Sequence, residues 1–143
     1  MTPPMPEPPS PKNEGSRSAL AQELALLQAV LDSTEEGLLV VDAEGRIVRF
    51  NQCFAELWRL PEEILATGDD ERALAFVLDQ LLDPEDFLAK VRELYSRPDA
   101  ASEDILHFTD RRVLERTSRP RLLHGAPTGR IWSFRDVTRR YRG

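Results

Sequence analysis

The chain has 143 residues, a net charge of −6, and an ordinary balance of 41% hydrophobic and 31% charged side chains. That suits one domain plus a tail, able to bury roughly two-thirds of its unfolded surface without staples. The acidic balance argues against general nucleic-acid binding. No apolar run approaches the ~20 residues of a membrane span, and the single cysteine, Cys53, allows no intrachain disulfide.

Residues 1–18 carry six of the eleven prolines and too little apolar surface to order themselves, so they read as a disordered Pro-rich tail. They lack the apolar core of a secretory signal, which makes a cytoplasmic protein the default. Residues 19–34 read as an amphipathic helix. Leu20, Leu24, Leu27 and Leu31 recur at heptad spacing, with Leu26 and Val30 broadening the stripe. Such a short seam is marginal alone, so the helix needs a sheet, a twin helix or both.

Gly37–Asp42 and Arg46–Phe50 flank an acidic turn that ends in Gly45, the pattern of a β-hairpin. Asn51 then sits as an N-cap before a helix bearing Phe54, Leu57 and Trp58 on one face. Pro61, Glu62 and Glu63 open a further short helix, and Gly68-Asp69-Asp70 breaks the chain. Residues 72–82 form an apolar helix. Asp83-Pro84 caps another, with Phe87, Val91, Leu94 and Tyr95 on one side. Residues 104–109, 113–118 and 130–135 switch to strand periodicity. Turn signals at Asp110-Arg111 and over 124–129 separate them into an antiparallel meander.

Charge is uneven along the chain. Residues 62–104 hold 13 acidic and 4 basic side chains, while residues 111–143 hold 10 arginines against Glu115 and Asp136. These read as solvated faces, or as an arginine-rich end meeting an acidic surface in a sister subunit or downstream domain.

Helix, two strands, several short helices and three strands define an α+β chain. This order, with DAEGRIVRFN early and GRIWSFRDVTRRY late, resembles the PAS fold over about residues 20–140. Three features carry the resemblance. They are the Asp-x-x-Gly hairpin closing on Asn51, the strand ERTSRP with Pro120 ahead of a turn, and the Asp136-Val137-Thr138 triplet after an aromatic strand. The resemblance implies a five-stranded antiparallel sheet with short helices on one face and an N-terminal flanking helix. It sets a PAS core over 35–138 and the start of a truncated signalling linker over 139–143. It also implies a homodimer joined through Leu20, Leu24, Leu27 and Leu31, and a signal relay at Asp136, Val137 and Thr138. The chain then looks like a bacterial input domain whose C-terminal output partner is a histidine kinase or a diguanylate cyclase.

A ligand cleft between sheet and helices follows from the same resemblance. Strand alternation sets Trp132 and Phe134 on one face of the last strand, and Leu106 and Phe108 on one face of the third. Comparison with the family turns these inward, with Leu114, Arg116 and Ser118 on the fourth strand and Trp58 from the helix. An inward Arg116 needs a partner: a carboxylate such as Glu56, another structural ion pair, or an anionic ligand. A cleft filled by its own side chains is the alternative, leaving only dimerisation or protein docking.

The sequence holds no nucleophile–base set, phosphate loop or metal motif, so no catalytic residue, metal ligand or enzymatic activity is assigned. Haem sensors of the family place a His on the long helix before the third strand, and residues 84–97 have none. His107 and His124 read as surface residues. Cys53 lies on the first core helix, away from the family's covalent-flavin motif, and reads as a small packed residue. The sequence therefore argues against haem and covalent flavin and leaves a small organic ligand open. One departure is local: the turn before the fourth strand reads Asp110-Arg111 where the family commonly has Asp-Gly, which points to another turn type.

Overall fold

The computed structural model describes residues 11–67 and 70–141. The chain divides into two compact units, Met1–Ser33 and Thr34–Gly143. The first contributes helix α1, Pro11–Asp32. This helix starts ahead of Ala19, so 11–18 are helical where a tail was expected; 1–10 lie outside the described residues. Proline is compatible with a first helical turn because its missing N–H would have no partner there. On α1, Leu20, Leu24, Leu26, Leu27 and Val30 are exposed, and Leu31 is half-buried.

The second unit is a five-stranded sheet with helices packed on one face. Its elements are β1 (Gly37–Asp42), β2 (Ile47–Phe50), α2 (Gln52–Leu57), α3 (Glu62–Thr67), α4 (Asp70–Leu78), α5 (Pro84–Tyr95), β3 (Ser102–His107), β4 (Val113–Leu123) and β5 (Ala126–Asp136). A 3-10 turn follows over Thr138–Tyr141. The strand order is β2-β1-β5-β4-β3, with every neighbouring pair antiparallel. The first and last strands are therefore central neighbours. Gly37 pairs with Phe134, so the chain enters β1 beside the point where it leaves β5. The break expected at Gly68-Asp69 lies outside the described residues.

Asn51 ties the entry together. Its side-chain oxygen accepts from Phe54 N at 2.9 Å, capping α2, and from Leu38 N at 2.8 Å, while its amide donates to Glu36 O at 2.9 Å. The residue is fully buried, so all three bonds replace water. Helix α2 ends in a Schellman arrangement, Leu60 N to Ala55 O and Arg59 N to Glu56 O, with Arg59 at φ 51°.

Two hairpins share one turn geometry. Asp42 N donates to Arg46 O and Gly45 N to Asp42 O; Phe108 N donates to Arg112 O and Arg111 N to Phe108 O. Both are type I turns closed by a left-handed residue, Gly45 at φ 84° and Arg111 at φ 76°. The Asp110-Arg111 turn thus keeps the usual geometry and sets an arginine in the glycine position. A β-carbon there costs about 1–2 kcal/mol, partly offset by the freer unfolded chain of glycine. Arg111→Gly is expected to raise stability by about 0.5–1 kcal/mol, a gain of roughly 2–4 °C in Tm read by thermal unfolding.

The β4–β5 hairpin is longer than the sequence pattern suggested. Only His124 (φ 52°) and Gly125 (φ 80°) form the loop, a two-residue type I′ connection, and Ala126–Gly129 join β5. β3 begins opposite Ser118 and β1 ends opposite Gly129. The ribbon beyond therefore has open edges, which is where Pro120, Pro127 and a register shift after Pro120 are tolerated.

Candidate functional site

The inner sheet face and the helices form one hydrophobic core. Trp58 is its hub, with ring centroids 4.9 Å from Phe108, 5.3 Å from Phe134 and 6.1 Å from Phe87. All the candidate cleft residues are buried: Trp58, Leu106, Phe108, Leu114, Arg116, Ser118, Trp132 and Phe134. The strand parity read from sequence is therefore the observed one.

Burial alone does not make these residues a cleft. A cavity of about 280 Å³ opens beside them, between the β1–β2 hairpin, α4, α5 and β5. Trp132 and Phe134 line it, as do Phe54 and Phe87. Trp58, Leu106, Phe108, Leu114, Arg116 and Ser118 are not among its lining residues. They pack on one another and close the inner face towards β3 and β4. The remaining wall comes from residues that sequence reading did not single out for a site, among them Leu39, Val41, Ile47, Ala73 and Leu74. Val91 and Tyr95 come from the apolar side of α5, and Glu44, Gly45 and Glu71 complete the lining.

The hairpin rim of this cavity is held by Asp42. Its carboxylate accepts from Arg46 N at 2.9 Å and Glu44 N at 3.0 Å. The bond from the Arg46 amide, against a smaller opposing effect of burial, holds its pKa below the usual carboxylate range. Gly45 passes so close to Tyr95 that an added β-carbon would lie 2.9 Å from the Tyr95 hydroxyl. The turn and the end of α5 are thus packed against each other across the cavity.

Arg116 has a partner, but not Glu56. Asp104, directly opposite it on β3, accepts from Nε at 2.8 Å and from Nη2 at 2.5 Å. The guanidinium carbon also sits 4.5 Å from the centroid of Phe87 and 5.4 Å from that of Trp132. Its Nη1 and the Trp58 Nε1 have no hydrogen-bond partner among the described residues.

A second inward arginine was missed. Arg130 on β5 is buried and has no carboxylate within ion-pair distance among the described residues. Nε donates to Ser118 Oγ at 2.8 Å, and Nη1 lies 3.5 Å from Leu94 O, 3.5 Å from Arg97 O and 3.4 Å from Pro98 O. Nη2 donates to Ala100 O. The cation thus caps the C-terminal end of α5, where the helix dipole and free carbonyls favour positive charge. Burial pushes its pKa below the usual arginine value, yet a guanidinium stays charged at any ordinary pH. The signal was available in the sequence, since Arg130 shares the parity of Trp132 and Phe134.

The Asp136-Val137-Thr138 triplet is locked to the start of β4. Asp136 Oδ1 accepts from Thr138 N at 2.9 Å and from Thr138 Oγ1 at 2.5 Å. Val137 N donates to Val113 O at 2.9 Å, and Thr138 Oγ1 accepts from Val113 N at 3.0 Å. Cys53 is half-buried, with Sγ donating to Glu35 O at 3.2 Å. Burial, then the carboxylates of Glu56, Glu35 and Glu36, push its thiol pKa up, which disfavours the reactive thiolate. Neither it nor His107 or His124 lines the cavity. No three His, Cys, Asp or Glu side chains among the described residues are grouped to hold a metal.

A five-stranded antiparallel sheet of order β2-β1-β5-β4-β3 with a helix-covered inner face defines a small α+β domain. The profile of the PAS fold family matches residues 31–143, and the chain belongs to that family. Solved structures of like fold agree. A PAS domain from Colwellia psychrerythraea superposes with a TM-score of 0.53 at 19% identity, covering 85% of this chain and 98% of that one. The PAS domain of an HTR-like protein from Haloarcula marismortui gives 0.57 at 19% identity, covering 87% and 99%. The sensor region of a sensor histidine kinase gives 0.58 at 13% identity, covering 74% of this chain and 40% of that one. Among curated proteins none matches this chain.

Proposed function

We propose that this chain is a sensory input domain whose cavity takes a small organic ligand and whose two ends carry the response to an output domain. The carrying observation is that Trp132 and Phe134, on the strand that ends at Asp136, line the cavity. An occupant touching them acts on the strand that leads into Val137 and Thr138. The neighbouring β1 brings in the chain from α1, so both ends of the domain meet the same central strand pair. A ligand shifts such a pair only by its difference in affinity between two arrangements.

The output is a histidine kinase or diguanylate cyclase, the setting in which domains of this family generally regulate rather than catalyse. The working unit is a cytoplasmic bacterial homodimer. Its seam is Leu20, Leu24, Leu27 and Leu31 on α1, of which the first three are exposed within a single chain. The relay is Asp136, Val137 and Thr138. An alternative is a ligand-free module serving only dimerisation or docking. The close packing of Trp58 on Phe108 and Phe134, with ring centroids 4.9 and 5.3 Å apart, favours it.

Native mass spectrometry of the untreated protein separates the two readings: a dimer with a defined extra mass supports the sensor, and a clean dimer supports the module. Leu24→Glu with Leu27→Glu is expected to weaken the dimer at least tenfold while leaving the circular dichroism of the sheet intact. An unchanged dimer by light scattering removes the seam from α1.

A further inference from the structure

Resting on the reading of the cavity as a ligand site, we infer that its ligand is a small aromatic or apolar amine, bound as a cation. The cavity is a half-open cleft whose walls are mostly apolar and aromatic groups, including Phe54, Phe87, Trp132 and Phe134. Its only charged lining residues, among those described, are two carboxylates, Glu44 on the hairpin rim and Glu71 on α4. No lysine or arginine lines it.

The nearby cations are already engaged. Arg116 is held by Asp104, and Arg130 by the carbonyls at the end of α5. Arg46 lies on the exposed side of the hairpin, 3.3 Å from Asp42 and 3.6 Å from Glu44. An anionic ligand would therefore enter past two like charges and find no free cation. A neutral apolar ligand would bind the walls alone. A compact apolar body with an ammonium group meets both features, with walls for the body and, for the head, Glu71 together with Glu44, which the ammonium would share with the exposed Arg46. The aromatic walls attract a cation as well. Phe87 and Trp132 already stand against one, the Arg116 guanidinium. A volume of about 280 Å³ limits the body to roughly one ring with a short side chain.

The test is calorimetric titration of the purified chain with 2-phenylethylamine, 2-phenylethanol and phenylacetate, which share one ring and differ in charge. The amine is expected to bind about tenfold tighter than the alcohol, from carboxylate attraction and ring–cation contact together. The acid is expected to bind weakest. Glu44→Gln with Glu71→Gln, both exposed and outside the core, should cut the amine preference to about threefold or less. Ala73→Leu adds bulk to the wall and should weaken the amine and alcohol together. An alcohol or acid that binds as tightly as the amine overturns the ligand class and leaves the cavity as a ligand site. So does a preference unchanged in the double variant. No binding by any of the three at millimolar concentration overturns the ligand class and the ligand-site reading together.

Discussion

Arg130→Ala is expected to cost about 2–4 kcal/mol of unfolding free energy, read from the urea midpoint. The guanidinium is 2% exposed. It is bonded to Ser118 and, among the described residues, supplies the side-chain donors on the carbonyls of Leu94, Arg97, Pro98 and Ala100. Removing it takes the arginine from Pro98 O and Ala100 O and opens a void under α5, while Leu94 O keeps Arg97 N at 3.1 Å and Arg97 O keeps Ala100 N at 2.9 Å. Domains of this size hold about 5–15 kcal/mol in total, so the loss is a large share. Arg130→Lys should recover only part of it. An ammonium keeps the charge at the helix end, but one compact group cannot span Ser118 and four carbonyls as a planar fork does. Hydrogen exchange should locate the damage at the end of α5, at Tyr95 and the residues after it. A loss below about 1 kcal/mol for Arg130→Ala would mean that water satisfies these carbonyls and the arginine is dispensable.

Elements governed by local chemistry were legible in the sequence, and arrangements governed by tertiary choice were not. Asn51 before an apolar helix and Asp83-Pro84 before another are caps that need only a few residues to declare themselves, and both cap as read. Period-two alternation set Leu106 with Phe108 and Trp132 with Phe134 on shared faces, and the family resemblance turned these and Leu114 inward; all five are buried. Neither could say which stretch of the inner face the helices would cover. Trp58 covers the β3–β4 side, so the open space falls at the β1–β2 side, where Leu39, Val41 and Ile47 had no distinguishing mark. Arg130 was overlooked because charge was allowed to outweigh parity. The long β4–β5 ribbon was hidden by Pro120 and Pro127, which signal turns when the edge status of a strand is unknown. Residues 11–18 told a similar story, since a proline-rich composition masked the helix start at Pro11.

The pair Arg116–Asp104 should show the largest coupling between two side chains in the domain. Arg116 is fully buried and the Asp104 side chain is 21% exposed. Asp104→Ala is expected to cost about 3–5 kcal/mol, because it leaves a guanidinium in the core with only the rings of Phe87 and Trp132 against it. Arg116→Met should cost less. It removes the charge and fills much of the volume, and Asp104 keeps access to water. The double variant Arg116→Met with Asp104→Leu should lie within about 1–2 kcal/mol of the parent, since replacing both ions removes their desolvation cost as well as their attraction. With Asp104→Leu as the matching single variant, expected to cost about as much as Asp104→Ala, the double-mutant cycle then gives a coupling of about 3 kcal/mol. Little of it should vanish in high salt, because a pair this enclosed is poorly screened. A coupling near zero would mean that the bidentate contact contributes nothing beyond each residue's own packing. Arg116 would then be open to another acceptor, and its uncommitted Nη1 would make an anionic ligand the better reading of the inner face.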